Sequence, residues 1–444
     1  MALKISILFV IAAVACGSPA RADTNFLAAA DFSHLKFFES RGVVYRDGGA
    51  IQDGLQILKN HGLNCVRLRL FTSSAAQAAA DPYNYINNTN YTVPLAVRVK
   101  NAGLLFSLDF HYSDTWADPG KQAIPKAWTN GLTFPILLQL MRSYNSNTIV
   151  TFAGAGAMPD YVQIGNEITS GMLWPYGQVN AYTSGGTQWT NLCQLIEAAI
   201  QGIQDATNVT GAKMPKIIIH IDRGGDWTTT MKYFDNLNAQ NVPYDIIGES
   251  YYPFFHGAPT NLNICLSNAA VRYGKPIIVA EDAFPFTNTC PASWLSKLYG
   301  YPPTPAGQVS FIATLAQIVK SVPNQLGVGF FYWGTEYQAV SGVNEAGYYT
   351  SSFFDANGNV LPAASAVGGM AAPLVIYPAL TGATNLQLQW PFSGAASTLM
   401  TSTSLVPASP WSPVNSSVQV TGTTFYTMLP VSNDVSRYYR LQGN

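Results

Sequence analysis

The sequence predicts an α/β fold, a (β/α)₈ TIM barrel followed by a small all-β, sandwich-like region. Three observations predict it. From Asp23 to about Met370, short apolar runs alternate with helical patterns, the signature of repeated βα units. Eight such runs occur, and seven of them end in polar or aromatic residues. Beyond Met370 the helical periodicity stops and short strand-like runs separated by Gly, Pro, Ser and Asn take over.

The chain has 444 residues, enough for one large unit and one small one. Residues 1–22 read as a secretory leader. Lys4 is its charged start, and Ile5 to Ala15 is an apolar core too short to span a bilayer. Ala20-Arg21-Ala22 places small residues for cleavage before Asp23. A rival is lipid anchoring at Cys16, after Ala13-Val14-Ala15.

The expected barrel covers residues 23–370. Its strand candidates are Leu27–Phe32, Cys65–Leu70, Leu104–His111, Tyr161–Gly165, Lys216–Ile221, Asp245–Tyr251, Pro276–Glu281 and Gly327–Trp333. Helical stretches between them include Asp53–Asn60, Val93–Asn101, Trp189–Ala206, Met231–Ala239 and Gln308–Ser321. A doubly wound open sheet competes, but it would usually carry a glycine-rich phosphate loop after the first strand, and none is present. In a barrel the C-terminal strand ends surround one active site. Here they carry Arg67 and Arg69, Asp109 and His111, Asn166 and Glu167, His220 and Asp222, Tyr251 and Tyr252, Glu281, and Trp333.

Ala371-Ala372-Pro373 reads as a linker, and residues 374–444 as the all-β region. Its strand candidates are Leu374–Tyr377, Leu386–Trp390, Thr398–Ser402, Ser417–Thr421, Phe425–Leu429 and Arg437–Leu441. Their role is open between carbohydrate binding, spacing and attachment.

Charged residues make up only 11% of the chain and the formal net charge is −1, which argues against nucleic acid or an anionic membrane as partner. Nine Trp, 24 Tyr and 22 Phe suit a neutral ligand with flat apolar faces, although core packing accounts for most of them. Among the cysteines, Cys65 and Cys193 fall in an expected strand and helix and read as buried thiols. Cys265 and Cys290 fall in loop-like sequence and are the favoured disulfide pair. No CxxC or His/Cys cluster points to zinc, and no Asp-rich loop points to calcium. The expectation is therefore no metal and no cofactor.

Two glutamates carry the chemistry. Glu167 follows the fourth strand and Glu281 ends the seventh, across the barrel mouth. Carboxyls so placed can flank a glycosidic bond; retaining hydrolysis needs them about 5–5.5 Å apart, one as nucleophile and one as acid/base. The competing explanation is that each glutamate is a buried ion pair with arginine. That accounts for one of them far more easily than for both.

Asn166-Glu167 after strand four and Glu281 on strand seven resemble the retaining glycosidases with (β/α)₈ barrels. Longer strings narrow the match. Leu108-Asp109-Phe110-His111-Tyr112-Ser113-Asp114-Thr115-Trp116-Ala117-Asp118-Pro119-Gly120-Lys121-Gln122, with Pro125-Lys126-Ala127-Trp128 after it, is similar to glycoside hydrolase family 53. So are Gln163 to Ile168 with Gly171-Met172-Leu173-Trp174-Pro175, Ser250-Tyr251-Tyr252-Pro253-Phe254, and Asn64 to Arg69. The resemblance covers roughly residues 27–335 and implies an endo-β-1,4-galactanase acting on the galactan side chains of pectin. It makes Glu167 the acid/base, Glu281 the nucleophile and Asn166 the ligand of the sugar 2-hydroxyl. Arg67 would keep the nucleophile ionised, with Arg69 as second choice. Tyr252 would hydrogen-bond the nucleophile, with Tyr251 the alternative. Trp333 would floor the cleaved sugar's subsite, Trp116 and Trp174 would be stacking platforms, and His111 and Asp109 would orient sugar or buttress Glu167.

Three departures stand out. The loop after strand eight reads Trp333-Gly334-Thr335-Glu336-Tyr337 in place of the family's Trp-Glu-Pro-Ala-Trp, at an expected cleft wall. Asp282 follows the nucleophile position, and strand alternation points it away. Arg223 adds a charge after strand five. The expected partner is a polysaccharide, met by a secreted monomer. Nucleic acid has no part, nor does a membrane beyond a lipid anchor. The rival functions are another endo-glycanase of the clan, on mannan, glucan or xylan, a non-catalytic polysaccharide-binding barrel, and a metal-dependent hydrolase that lacks a ligand cluster.

Overall fold

Eight parallel strands close on themselves, each followed by helix, in the computed structural model. It describes residues 26–181, 183, 185–372, 375–381, 385–391, 397–404, 410–421, 424–430 and 437–443. The leader at 1–22, the Cys16 site, the linker's last residue Pro373 and the first residue of the expected all-β region, Leu374, lie outside the described residues. The barrel strands are β1 (Leu27–Asp31), β2 (Cys65–Leu70), β3 (Leu105–Phe110), β4 (Tyr161–Ile164), β5 (Lys216–Ile221), β6 (Ile246–Ser250), β7 (Ile277–Glu281) and β8 (Gly327–Tyr332). Each pairs with its chain neighbour, and β8 closes on β1. All eight lie where the apolar runs placed them, within one or two residues at either end.

The outer helices are α1 (Gly54–Asn60), α2 (Thr89–Asn101), α3 (Phe134–Gly154), α4 (Thr187–Thr210), α5 (Trp227–Ala239), α6 (Pro259–Tyr273), α7 (Pro305–Lys320) and α8 (Pro362–Gly368). Several start on capping side chains: Asp53, Asn88, Asp226 and Thr304 each accept a backbone N–H of the first turn. Helix α6 overturns one expectation. Cys265 lies inside it, not in a loop, and its thiol donates to Thr230 Oγ1 at 3.5 Å. Cys265 and Cys290 are both free, as are Cys65 and Cys193, and all four are buried. The Ser- and Asn-rich run Thr260–Asn268 hid the helix, because those residues favour turns when no tertiary face is visible.

Alternation fills the barrel interior. Leu27, Ala29, Cys65, Ile218, Ile246, Ile278, Ala280 and Phe331 pack together inside it. One step further along the strands the inward positions become polar: Asp31, Arg67, Arg69, Asp109, Gln163, His220 and Ser250, all buried. The interior is thus apolar below and ionic above, and the ionic layer underlies the C-terminal mouth.

After the barrel come all-β strands: β9 (Tyr377–Thr381), β10 (Asn385–Pro391), β11 (Ser397–Ser402), β12 (Ser412–Pro413), β13 (Gln419–Thr421), β14 (Thr424–Pro430) and β15 (Tyr438–Gly443). They form one sheet ordered β9-β10-β14-β13 and another ordered β12-β11-β15. Trp390 faces Phe425 across β10 and β14, their ring centroids 6.1 Å apart. The first strand starts at Tyr377, where the sequence reading ended it. Among the described residues no helix is long and apolar enough to cross a membrane.

Candidate active site

The strand ends converge on a cleft of about 570 Å³. Glu167 and Glu281 both line it, with Asn166, Arg69, His111, Trp116, Tyr252 and Trp333. The two glutamates reach it by different local devices. Glu281 follows the inward-facing Ala280, so strict alternation would turn it outward. A register irregularity corrects this: Glu249 pairs with Val279 but Ser250 with Glu281, so Ala280 is the extra residue. A bulge of this kind re-aims a side chain at a barrel rim. Glu167 sits just past β4 with φ of 47°, a left-handed conformation that costs energy outside glycine. Gly165 before it has φ of 77°, and a Cβ there would lie 2.5 Å from Ile168 Cγ2, so glycine is required for the turn.

Below Glu281 lies Arg67, 1% exposed. Its Nη1 contacts Glu281 Oε1 at 2.9 Å and Asp31 Oδ2 at 3.0 Å, and its Nη2 contacts Asp109 Oδ2 at 2.9 Å and donates to Asn166 Oδ1 at 2.8 Å. Nε donates to Gln163 Oε1 at 3.2 Å. One guanidinium thus spends its whole fork on the nearby acids and amides. Tyr252 donates its hydroxyl to Glu281 Oε2 at 2.9 Å, while Tyr251 bonds the Gly257 carbonyl instead. Burial raises the Glu281 carboxyl; Arg67 pulls it back down, Asp31 pushes it up, and Tyr252 pulls down again.

Among the described residues no cation contacts Glu167. Ser250 Oγ donates to its Oε1 at 2.6 Å, and His220 Nε2 lies 2.8 Å from that same hydroxyl. Burial lifts the Glu167 carboxyl well above its usual range, and the charges of Glu281 and Asp222 add to the rise. His220 is held neutral, chiefly by burial and then by Arg67. Asp222 also clasps the turn that follows Glu167, because Thr169 Oγ1 donates to Asp222 Oδ1.

The remaining expected site residues divide. Asn166 lines the cleft, its Nδ2 donating to the Ala117 carbonyl at 2.8 Å. His111 lines it too; its Nδ1 accepts from the Ala117 N–H at 3.0 Å, so Nε2 carries the proton and faces Asp109 Oδ2 at 3.0 Å. Burial alone would raise Asp109, but Arg67 and His111 outweigh it and hold this acid below the usual carboxylate range. Asp109 and Arg67 lie beneath the cleft floor and act on the groups above them. Trp116 and Trp333 face each other at 6.3 Å, and the Arg69 guanidinium lies 4.2 Å from the Trp116 ring and 5.7 Å from the Trp333 ring. Arg69 therefore props the aromatic wall and leaves Glu281 to Arg67. Trp174 does not line this cleft: its Nε1 donates to the Ser170 carbonyl at 2.8 Å, so it braces the loop after β4.

The altered loop after β8 corrects another expectation. Trp333 lines the cleft, but Glu336 and Tyr337 are fully buried below it. Glu336 Oε1 accepts the His34 N–H at 2.6 Å, and Tyr337 OH lies 3.2 Å from His34 Nδ1. The wall is built by the later residues Asn344, Glu345, Ala346 and Tyr348. Asp282 points away from Glu281 as alternation required, fully buried, and burial keeps its carboxyl well above the usual range. Arg223 lines the cleft 3.5 Å from Asp222. Sequence reasoning passed over Ser250, Gln163, Asn84 and Tyr348. Ser250 stood inside a quoted motif, but nothing in the string says that it meets Glu167.

Among the described residues, no group of three or more His, Cys, Asp or Glu side chains is placed to hold a metal ion. What the cleft offers is one carboxyl on a guanidinium and another on a hydroxyl, facing one space.

The comparison with protein families decides what that pair belongs to. The model described as "Glycosyl hydrolase family 53" matches residues 27–367. The chain belongs to that family. This family 53 hydrolase is 40% identical to a protein of Niallia circulans described as an uncharacterized protein in the bgaB 5' region, over 69% of this chain and 83% of the relative. It is 36% identical to an arabinogalactan endo-beta-1,4-galactanase of Thermothelomyces thermophilus, over 68% of this chain and 87% of that enzyme. A solved structure of fungal beta-1,4-galactanases superposes on it with a TM-score of 0.67 at 33% identity, covering 77% of this chain and 98% of that one.

Proposed function

We propose that this family 53 hydrolase is a secreted, retaining endo-β-1,4-galactanase acting on galactan side chains of pectin. The observation that carries the proposal is the unequal pair in one cleft, Glu281 on Arg67 and Tyr252, and Glu167 on Ser250. Glu281 is the nucleophile. It attacks the anomeric carbon while Glu167 gives its proton to the departing glycosidic oxygen, and a covalent glycosyl-enzyme forms. Water then enters, Glu167 takes a proton from it, and the oxygen displaces Glu281 with net retention. Asn166 has a second Nδ2 hydrogen for the sugar 2-hydroxyl, and Trp116 and Trp333 offer flat faces to the pyranose rings.

Residues 23–370 form the catalytic unit, 374–444 an accessory all-β module, and 1–22 the export leader; the enzyme acts as a monomer. Incubation with pectic β-1,4-galactan, with products followed by chromatography and their first-formed anomer by NMR, tests the reading. Oligogalactosides released at random with β-configuration are expected. Release from mannan, glucan or xylan in their place, or binding of galactan without new reducing ends, would overturn it.

A further inference from the structure

The acid/base sits in a closed ring of hydrogen-bonding groups whose proton order the geometry sets. The main-chain N–H of Glu167 points at His220 Nδ1, 3.5 Å away. His220 Nε2 meets Ser250 Oγ at 2.8 Å, and Ser250 Oγ meets Glu167 Oε1 at 2.6 Å. Two proton orders satisfy the last two contacts. In one, Nε2–H donates to Ser250, whose own hydrogen goes to Oε1. In the other, a proton on Oε1 donates to Ser250, whose hydrogen goes to Nε2. The second order needs a hydrogen on Nδ1, and that hydrogen would meet the Glu167 N–H head on. The amide of Glu167 therefore selects the first, as hydrogen-bond networks fix tautomers generally.

We infer that Ser250, oriented by His220, is the positioning residue of the acid/base: it occupies Glu167 Oε1 as acceptor, so the transferable proton resides on Oε2, toward the cleft. The titratable groups around the ring are Arg67, Asp109 and His111 near His220, and Glu281, Asp222 and Arg67 near Glu167. None of them donates to Oε1, which leaves Ser250 as its donor. Without that hydroxyl the carboxyl can rotate, and the proton can rest on the oxygen that does not face the leaving group. The hydroxyl also stabilises the charged carboxylate, so removing it raises the pKa of Glu167.

This inference rests on the galactanase reading, whose own failure would already show as wild-type protein releasing nothing from galactan. Ser250→Ala should lower kcat/KM on galactan by about 10- to 100-fold, within the range of general-acid effects. Cleavage of an aryl galactobioside whose leaving group needs no proton should fall only a few-fold at that bond-breaking step. The alkaline limb of the kcat/KM profile should move to higher pH. Ser250→Thr, which keeps the hydroxyl, should restore most of the loss, and a melting curve identifies any variant that fails to fold. The tautomer is read on the unmutated protein: two-bond ¹⁵N–¹H spectra should show His220 protonated on Nε2. A proton on Nδ1 would overturn the assignment. So would a Ser250→Ala enzyme that folds and loses galactan and aryl substrate equally with an unmoved alkaline limb.

Discussion

Glu167 and Glu281 are the same residue at the same mouth, the first half-buried and the second buried, yet their surroundings differ in kind. Glu281 rests on a guanidinium that is itself shared with Asp31 and Asp109, and takes a phenol hydrogen on its other oxygen. Glu167 takes one hydroxyl hydrogen and faces the charges of Glu281 and Asp222. Burial favours the protonated form of both. Only Glu281 has a contacting cation to oppose that, so when the pair holds one proton it rests on Glu167. The lesson is that the proposed roles of nucleophile and acid rest on the second partner of each carboxylate, and burial itself does not discriminate.

The harshest way to break the comparison is to remove either acid. Glu281→Gln and Glu167→Gln should each lower kcat on galactan by about 10³-fold or more, consistent with the loss of a covalent or acid/base role. Azide separates them. With Glu281→Ala, azide should attack directly and give the α-galactosyl azide. With Glu167→Ala it should trap the glycosyl-enzyme and give the β-azide. The reverse pattern would exchange the two roles.

Removing the cation should come next. Arg67→Gln leaves Glu281 without the charge that lowers it, so the Glu281 pKa rises. The nucleophile works ionised, and the acid limb of kcat/KM should shift to higher pH and narrow the bell. The same change leaves Asp31 and Asp109 buried without their partner, which costs about 3–5 kcal/mol of stability. Denaturant unfolding beside the pH profile checks both, and an unmoved acid limb in a folded variant would remove Arg67 from the account.

A milder change acts on the other carboxyl. Asp222 repels the charged form of Glu167. Asp222→Asn keeps an oxygen for the Thr169 hydroxyl and removes the charge, so the Glu167 pKa should fall. The alkaline limb should then move to lower pH by a fraction of a unit, opposite to the shift expected for Ser250→Ala. Two neighbouring substitutions that drive one limb in opposite directions cannot both act through general loosening of the site.

Much of this was legible in the sequence because barrel topology turns strand number into position. The run Lys216–Ile221 coincides with β5, and Glu167 follows β4 while Glu281 ends β7, as their strings implied. Parity also assigned Arg67 and Arg69 to the inside, but not which of them would reach Glu281. What alternation could not supply was the irregularity at Ala280, which turns Glu281 into the mouth. Nor could it show the meeting of Ser250 with Glu167, which are 83 residues apart. Nor could the string place Trp174, which braces its own loop through Ser170 outside the lining of this cleft. The loop Gly334–Tyr337 was read as a wall because its family counterpart stands there, while its own Glu and Tyr find buried partners in His34 and Arg69.

Glu336 supplies the smallest test, a third buried glutamate that takes no part in the cleft. Burial, and then the charge of Asp31, raise its carboxyl to about 8. The unfolded chain releases this proton near the ordinary glutamate value, whereas the folded chain keeps it until about pH 8. The stabilisation from this group is therefore complete below the unfolded pKa and is lost as pH rises through the folded one. Glu336→Gln keeps an oxygen for the His34 N–H and removes the titration. Its melting temperature should match the parent at pH 4.5 and fall less than the parent's between pH 5 and 8. Equal slopes for the two proteins would mean that Glu336 is already ionised in the fold. A buried carboxyl here, with Arg69 near but not in contact, would then tolerate its charge without the direct guanidinium contact that Glu281 has, and the contrast between the two catalytic acids would lose its physical basis.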